Sequence, residues 1–453
     1  MAGGPKSDPL RVSLNKIPGK SLANPRFILP VLIVRFVAYT LPRMIKPFLL
    51  TTLLFFAFSG LFAQPVDDLF QPRNSLSKDY RRVASKYQAL QLNNERFSSL
   101  RQQSPATLKL DLPFENRQLK LELKKVKITS DNFSVIEARA DGSRRVVNYP
   151  GAVFYQGTIE GRSSSFATIS IGNDQVSGII ADDKSNIILG AIEENGRATN
   201  EYTLYRESDL LISNPTNCFT SDVPVDGPGN PNNNSSGRID LVGAPVDIYF
   251  ECDYRFYQDK GSNSINVINY VLSFFNNTSL LYANEDVKIQ VSHILVWTTP
   301  DPEAGLSSSS AVLTSFATRM ATTVYVGDYA HFLSTRALGG GIAYLLSNPC
   351  SASKANRTGV SAINNTYNNF PTYSWTVEVV THELGHNLGS HHTHWCGWPG
   401  GPIDNCGPSG GYANEGGPCP LGPTPTNGRK RGQLESGTQF ARVARSQQCA
   451  WSR

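Results

Sequence analysis

The chain has 453 residues, with 42 Lys and Arg against 37 Asp and Glu and a formal net charge of +5. The positive charge lies at the two ends, because residues 64–427 alone carry a net charge of about −7. This interior has no basic patch to indicate nucleic acid as a partner, and the length is enough for two domains.

Two segments at the N-terminus differ in composition from the rest of the chain. Residues 1–43 contain seven basic residues and one acidic residue, and we interpret them as upstream leader sequence. Residues 44–63 are typical of a signal peptide, with Lys46 before an apolar run that ends near Ala63. The run is short for a bilayer span, so we expect no stable membrane span in the mature chain. An uncleaved membrane anchor is the alternative.

The pattern of residues 64–221 predicts a mostly β domain. Short alternating segments at 119–128, 152–159, 166–171 and 176–181 are separated by Gly, Asn and Asp turns. A helical segment at 76–101 is expected to begin this region. Residues 222–237 consist largely of Pro, Gly, Asn and Ser, which predicts a linker that a processing protease could reach.

After the linker, residues 238–427 alternate between strand and helix patterns. We expect an α/β fold in which helices cover a twisted, mostly parallel sheet. The predicted strands are residues 246–252, 287–297, 323–326, 341–346 and 359–363. The predicted helices are residues 264–275 and 308–322, followed by a helix that carries the motif described next.

Eleven residues near the C-terminus have the spacing of a catalytic metal site. His382 and His386 lie four apart, so on a helix both imidazoles project from one face. Glu383 lies about 100 degrees round the helix, where it can act as a base without ligating the metal. Gly389 can adopt the left-handed conformation that turns the chain back, which brings His392 to the same metal.

Three neutral imidazoles leave one position for water in a tetrahedral zinc site, as open catalytic sites require. Zinc would lower the pKa of bound water and polarise a carbonyl, while Glu383 transfers the proton. His391 precedes His392, and the spacing does not exclude that His391 turns inward instead. A surface helix with incidental histidines is the alternative interpretation.

The run from His382 to His392 follows the pattern HExxHxxGxxH, and the chain resembles the metzincin zinc metalloproteases. It is most similar to the reprolysin (adamalysin) group, in a secreted bacterial form. The resemblance implies that His382, His386 and His392 bind Zn²⁺ and that Glu383 is the general base. It also implies that the β-rich residues 64–221 are a propeptide.

The resemblance further implies how the site binds peptides and how it is kept latent. Gly341, Ile342, Ala343 and Tyr344 match the edge strand that binds an extended substrate antiparallel, although an ordinary core strand is an equal alternative. Cys218 lies where reprolysin zymogens place an inhibitory thiol, since a thiolate can occupy the zinc position needed by water. A structural or unpaired Cys218 remains the alternative.

Seven cysteines behind a signal peptide indicate an oxidising compartment and disulfides whose connectivity the sequence does not give. Five of them would belong to the catalytic domain: Cys252, Cys350, Cys396, Cys406 and Cys419.

The sequence departs from the metzincin pattern in two places. Thr393 stands where reprolysins have aspartate, and no methionine follows Met320, so the Met-turn beneath the zinc is absent. Residues 428–453 carry six basic residues and one acidic residue. We interpret them as an aberrant tail produced by a frameshift, which would leave the catalytic domain incomplete at its C-terminal end. A basic arm is the alternative.

These observations predict a secreted, extracellular zinc metalloendopeptidase that is made as a latent zymogen and acts on protein or peptide substrates as a monomer. A catalytically impaired homologue that retains zinc and serves as a binding protein is the second hypothesis, and a truncated non-functional product is the third.

Overall fold

The computed structural model describes residues 64–66, 68–212, 218–221, 224–225, 245–347, 351–363, 370–409 and 413–424. The predicted leader 1–43, the signal peptide 44–63, most of the linker 222–237 and the tail 428–453 lie outside the described residues. Those assignments stay predictions.

The described strands, in chain order, are β1 Gln64–Val66, β2 Phe70–Arg73, β3 Gln88–Leu92, β4 Thr107–Phe114, β5 Arg117–Val126, β6 Thr129–Ala138, β7 Arg144–Val146, β8 Val153–Ile159, β9 Arg162–Ile171, β10 Val176–Ala181, β11 Asn186–Glu194, β12 Arg197–Arg206, β13 Val246–Cys252, β14 Ile289–Trp297, β15 Tyr329–Ser334, β16 Gly341–Ala343 and β17 Thr358–Ala362. The described helices are α1 Asn94–Gln103, α2 Tyr254–Asp259, α3 Ser264–Ala283, α4 Ser309–Met320, α5 Ser374–Asn387 and α6 Cys406–Ser409. None of these helices is both long enough and apolar enough to cross a membrane.

Ten of the described strands form one sheet in the order β1-β4-β5-β8-β9-β10-β11-β12-β3-β2. Its hairpins follow from local sequence. In β4 every second residue is buried, and the two-residue turn at Glu115 and Asn116 has φ of 50° and 59°, the conformation of a tight hairpin turn. We call residues 64–212, which supply all ten strands, the β-rich part.

The other seven described strands form a second sheet in the order β16-β17-β15-β13-β14-β6-β7. Strand β13 pairs parallel with both β14 and β15, and β15 pairs parallel with β17, so the predicted mostly parallel sheet is present. Strand β16 is antiparallel and lies at one edge. We call residues 245–424 the C-terminal part.

The two sheets do not divide at the predicted linker. Strands β6 and β7 come from the β-rich part of the chain, yet β6 pairs parallel with β14 in the second sheet. One apolar core is likewise shared, since Val135, Ile188 and Tyr205 pack in the same cluster as Phe250, Phe275 and Val380. The predicted boundary therefore separates two stretches of sequence that share a sheet and a core.

Two predicted elements are wrong. Residues 76–101 are not one helix, because β3 lies within them and α1 begins only at Asn94, where the side chain of Asn93 caps it. Residues 323–326 are not a strand, and the strand of this region is β15, whose six residues are all buried. A central parallel strand that is covered on both faces shows no alternation, which is why the pattern misplaced it. The strand predicted at 341–346 is shorter, since β16 ends at Ala343.

Candidate metal centre and peptide cleft

Helix α5 carries the first two predicted metal ligands on one face. The Nε2 atoms of His382 and His386 lie 3.1 Å apart, and the two rings meet edge to face. The helix is positioned from the sheet side by Asn387, whose Nδ2 donates to the backbone carbonyls of Tyr344 at 2.9 Å and Thr358 at 3.0 Å. The four-residue spacing therefore gives the convergence that was expected of it.

The turn after α5 brings the third histidine to the same place. Gly389 has a φ of 91°, a conformation that a Cβ atom disfavours, and its N–H donates to the carbonyl of His386 at 2.9 Å. Ring nitrogen Nδ1 of His386 lies 2.7 Å from the carbonyl oxygen of Ser390, to which it donates. The His386 and His392 ring centroids are then 4.7 Å apart.

Four donor atoms converge at this point, because one ligand atom from each of Cys218, His382, His386 and His392 lies within 4.8 Å of the others. The Nε2 atom of His392 is buried and has no hydrogen-bond partner among the described residues. A buried nitrogen lone pair without a partner is costly unless something binds it. The donor set of imidazoles and a thiol is the one that zinc prefers, so these residues fit the implied metal.

Burial keeps the helix imidazoles neutral. It lowers the pKa of His382 to about 3, with a further contribution from His392, and it lowers the pKa of His386 well below the ordinary value. A metal ligand must present a lone pair, so neutral imidazoles are ready to bind without first losing a proton.

Glu415 orients His392 and was not predicted from the sequence. Both carboxylate oxygens of Glu415 lie within 2.9 Å of Nδ1 of His392, and one lies 3.5 Å from Nε2 of His394. Because the carboxylate accepts from Nδ1–H, the lone pair of His392 stays on Nε2, which faces the other histidines. Burial tends to raise the pKa of Glu415, but the two histidines outweigh it and lower that pKa to about 2.

The segment that carries Glu415 is tied to the segment after His392. The backbone N–H of Cys396 donates to the carbonyl of Glu415 at 2.8 Å, and a disulfide joins Cys396 to Cys419. The predicted disulfides are therefore represented by this one among the described residues. Cys252 is a buried free thiol, and the side chains of Cys350 and Cys406 lie outside the described residues.

Glu383 is buried, with 1% of its surface exposed, and it follows His382 directly in helix α5. Burial raises the pKa of its carboxyl to about 8, opposed by hydrogen bonds from Cys218 and Thr220. Its carboxylate lies so close to β16 that a Cβ atom on Gly341 would come within 2.1 Å of Oε1. Glycine at 341 thus makes room for the carboxylate between helix α5 and the edge strand.

Strand β16 places Gly341, Ile342 and Ala343 along the cleft, and Tyr344 follows directly after it. The outer edge of β16 is occupied by the described residues 218–221 and 224–225, which we call the cleft segment. The N–H of Phe219 donates to the carbonyl of Gly341 at 3.2 Å, and the backbones of Cys218 and Gly341 pair as in a parallel β-sheet. The edge is therefore able to bind an extended chain.

Two side chains of the cleft segment contact His386 and Glu383. The Cys218 Sγ atom lies 3.5 Å from Nε2 of His386, and burial together with Glu383 raises the pKa of this thiol. Thr220 was not predicted, although its place two residues after Cys218 in an extended segment puts both side chains on one side. Its hydroxyl lies 3.4 Å from the Glu383 carboxylate and bridges the backbone N–H and carbonyl of Ala343.

The other residues near the motif do not join the cluster. His391 stacks on Trp395, with ring centroids 3.6 Å apart, so the structure brings His392 and not His391 to the other histidines. Thr393, at the position where aspartate was expected, donates its hydroxyl to Asp404 at 2.8 Å. A carboxylate thus reaches this position from a later residue.

One comparison with known proteins gives a family match that covers the histidine motif. Residues 243–431 match the family model Reprolysin_5, described as Metallo-peptidase family M12. The match identifies this region as a metallopeptidase domain, and the resemblance to reprolysin-like enzymes is confirmed. No curated protein matches the chain. Among solved structures it is similar to one titled "Crystal Structure of metalloproteinase-II from Bacteroides fragilis", with 12% identity, 63% of this chain and 81% of that chain covered, and a TM-score of 0.36.

Proposed function

We propose that the protein is a secreted zinc metalloendopeptidase of the metzincin type, made as a latent zymogen. The observation that carries the proposal is the convergence of His382, His386 and His392 beside the buried carboxylate of Glu383. Peptidase families act on proteins or peptides, and the disulfide between Cys396 and Cys419 is compatible with an oxidising compartment.

The three histidines would hold the zinc ion, and when bound it would supply Lewis-acid activation of a water molecule and of the scissile carbonyl. Glu383 takes the proton from the attacking water and delivers it to the leaving amine. The edge of β16 from Gly341 to Ala343, with Tyr344, holds the peptide backbone by strand pairing, which gives affinity through main-chain hydrogen bonds.

Latency follows from the cleft segment. Cys218 offers its sulfur to the same cluster as the histidines, and Thr220 contacts the base, so both the metal position and Glu383 are covered at once. The β-rich part is then the propeptide. Cutting the chain between Val225 and Pro245 would free the cleft segment to leave the site.

The test is to express the chain from Gln64, measure bound zinc per mole and assay casein cleavage. We expect about one zinc ion per chain, little activity before processing and clear activity after it. Before processing, Cys218→Ala is expected to be more active than the unsubstituted chain, although Thr220 still contacts Glu383, whereas Glu383→Ala should stay inactive while it keeps its zinc. Zinc-free protein, or equal activity with and without the Glu383 carboxylate, would overturn the proposal.

A catalytically impaired protein that binds zinc is the second candidate, and it is favoured by the lack of any methionine after Met320. Full zinc content without peptide hydrolysis in the processed Cys218→Ala protein would establish this second function instead.

A further inference from the structure

The hairpin of β6 and β7 leaves the sheet to which its neighbours in sequence belong. Strands β5 and β8 pair directly with each other, from Leu121 opposite Ile159 to Val126 opposite Phe154. Residues 127–152 therefore leave the ten-stranded sheet between β5 and β8. Their strands β6 and β7 belong to the seven-stranded sheet of the metallopeptidase domain.

Strand β6 is bound to β14 by backbone and side-chain contacts. The two strands pair in parallel from Ser134 opposite His293 to Ala138 opposite Trp297. The hydroxyl of Ser134 lies 2.7 Å from Nδ1 of His293, and the carbonyl of Ala138 accepts from Thr298 N–H at 3.0 Å. Without β6, one edge of β14 would expose a row of unpaired backbone groups.

A polar face of α3 forms the second contact between the two parts. Asn276 is fully buried, and its Nδ2 donates to the Ser170 hydroxyl at 3.1 Å and lies 3.4 Å from the carbonyl of Tyr155. Its side-chain oxygen Oδ1 accepts from Nε2 of Gln156 at 3.1 Å. The neighbouring Asn277 accepts from the hydroxyl of Thr168.

A third contact holds the residues that precede helix α5. The hydroxyl of Tyr373 lies 2.5 Å from the carbonyl oxygen of Gly178 and 2.9 Å from that of Leu189, and the hydroxyl of Tyr205 donates to the carbonyl of Pro371 at 2.7 Å. Tyr373 immediately precedes α5, so the β-rich part contacts the helix that carries His382 and His386.

The described residues of the cleft segment contact the C-terminal part separately from these three contacts. Its contacts include the backbone pairs of Phe219 with Gly341 and of Val225 with Leu345 at 3.1 Å, and the side chains of Cys218 and Thr220. The three contacts of the β-rich part include buried polar groups such as Asn276 and Thr168 and the shared apolar core. No cysteine occurs between residues 64 and 212, so no disulfide can supplement them.

We propose that the β-rich part stays bound to the C-terminal part as a non-covalent subunit after the connection between Val225 and Pro245 is cut. The docking face consists of the edge of β14, the polar face of α3 and residues 371–373, and its occupant is the β-rich part of the same chain. The proposal deepens the proposed function, because processing would then open the cleft without separating the two parts. Its test does not depend on catalysis.

The experiment places a recognition sequence for a site-specific protease between Val225 and Pro245 of the chain that starts at Gln64. After complete cutting, the mixture is passed through a size-exclusion column at about 1 µM, so that co-elution reports a dissociation constant below that value. We expect both fragments in one peak of unchanged volume. Two separate folded fragments would overturn the proposal, whatever the zinc content or casein activity.

A matched pair of substitutions tests the docking face. Asn276→Asp aims a carboxylate at the Tyr155 carbonyl in the complex but would be solvated in a separated C-terminal part, so we expect at least about a tenfold weaker complex after cutting. Asn284→Asp makes the same change at the exposed end of the same helix and should still co-elute. Equal dissociation constants of the two cut variants, measured by a dilution series on the same column, would overturn the assignment of this face. Thr168→Val provides the same comparison if uncut Asn276→Asp does not fold by circular dichroism.

Discussion

Replacing Glu415 with glutamine should weaken zinc binding at the proposed site. The carboxylate accepts from Nδ1 of His392 at 2.8 and 2.9 Å, and these contacts fix which ring nitrogen faces the cluster. An amide at this position can donate as well as accept. The His392 ring can then carry its proton on Nε2, which removes the lone pair that faces the proposed metal position. Loss of such a partner costs about 10- to 100-fold in metal affinity, or about 1.4 to 2.8 kcal/mol.

The assay is competition for zinc between the protein and a chromophoric chelator at fixed pH. Glu160→Gln is the matched control, since Glu160 is exposed and pairs only loosely with Lys109 at 3.5 Å. We expect the control to bind zinc like the unsubstituted chain. If Glu415→Gln also does so while its circular dichroism spectrum is unchanged, then Glu415 does not orient His392.

Three further outcomes are expected. Gly341→Ala should abolish peptide hydrolysis but keep zinc, measured by casein assay and metal analysis, because its Cβ would lie 2.1 Å from Glu383 Oε1; retained hydrolysis would contradict that contact. Reducing the disulfide of Cys396 and Cys419 should lower zinc affinity, since it ties the Glu415 segment to the segment after His392; equal affinity with and without reductant would count against this. Burial lowers the pKa of His331 to about 3, so the unfolded chain binds its proton first. The free energy of unfolding should fall as the pH drops below about 6.5, by up to about 1.4 kcal/mol per unit, and chemical denaturation of His331→Gln should show a smaller slope.

The local parts of the site were predictable from the sequence because helical geometry is local. The spacing of His382, Glu383 and His386 requires only 3.6 residues per turn, and the glycine at 389 marks the end of the helix. Choosing His392 over His391 also depended on spacing alone. These residues meet in the structure as that spacing predicts.

The partners that come from a distance in sequence were not predictable in the same way. Glu415 follows His392 by 23 residues and belongs to no helix or strand that also carries His392. Its hydrogen bond therefore leaves no periodic pattern in the sequence. Alternation predicts that a segment is a strand but not which strand it pairs with. The sequence therefore indicated a β-rich region before the linker without indicating that β6 belongs to the other sheet.

The pairing of β6 with β14 also bears on the order in which the protein folds. Ser134 and His293 are separated by 159 residues, so the pairing of β6 with β14 closes a long loop at a cost in chain entropy. Because the N-terminal residues leave the ribosome first, the hairpin of β6 and β7 can be present before β14 is synthesised. One of the two strands that pair with β14 would then come from the β-rich part, which would serve as a template on which the metallopeptidase sheet is built.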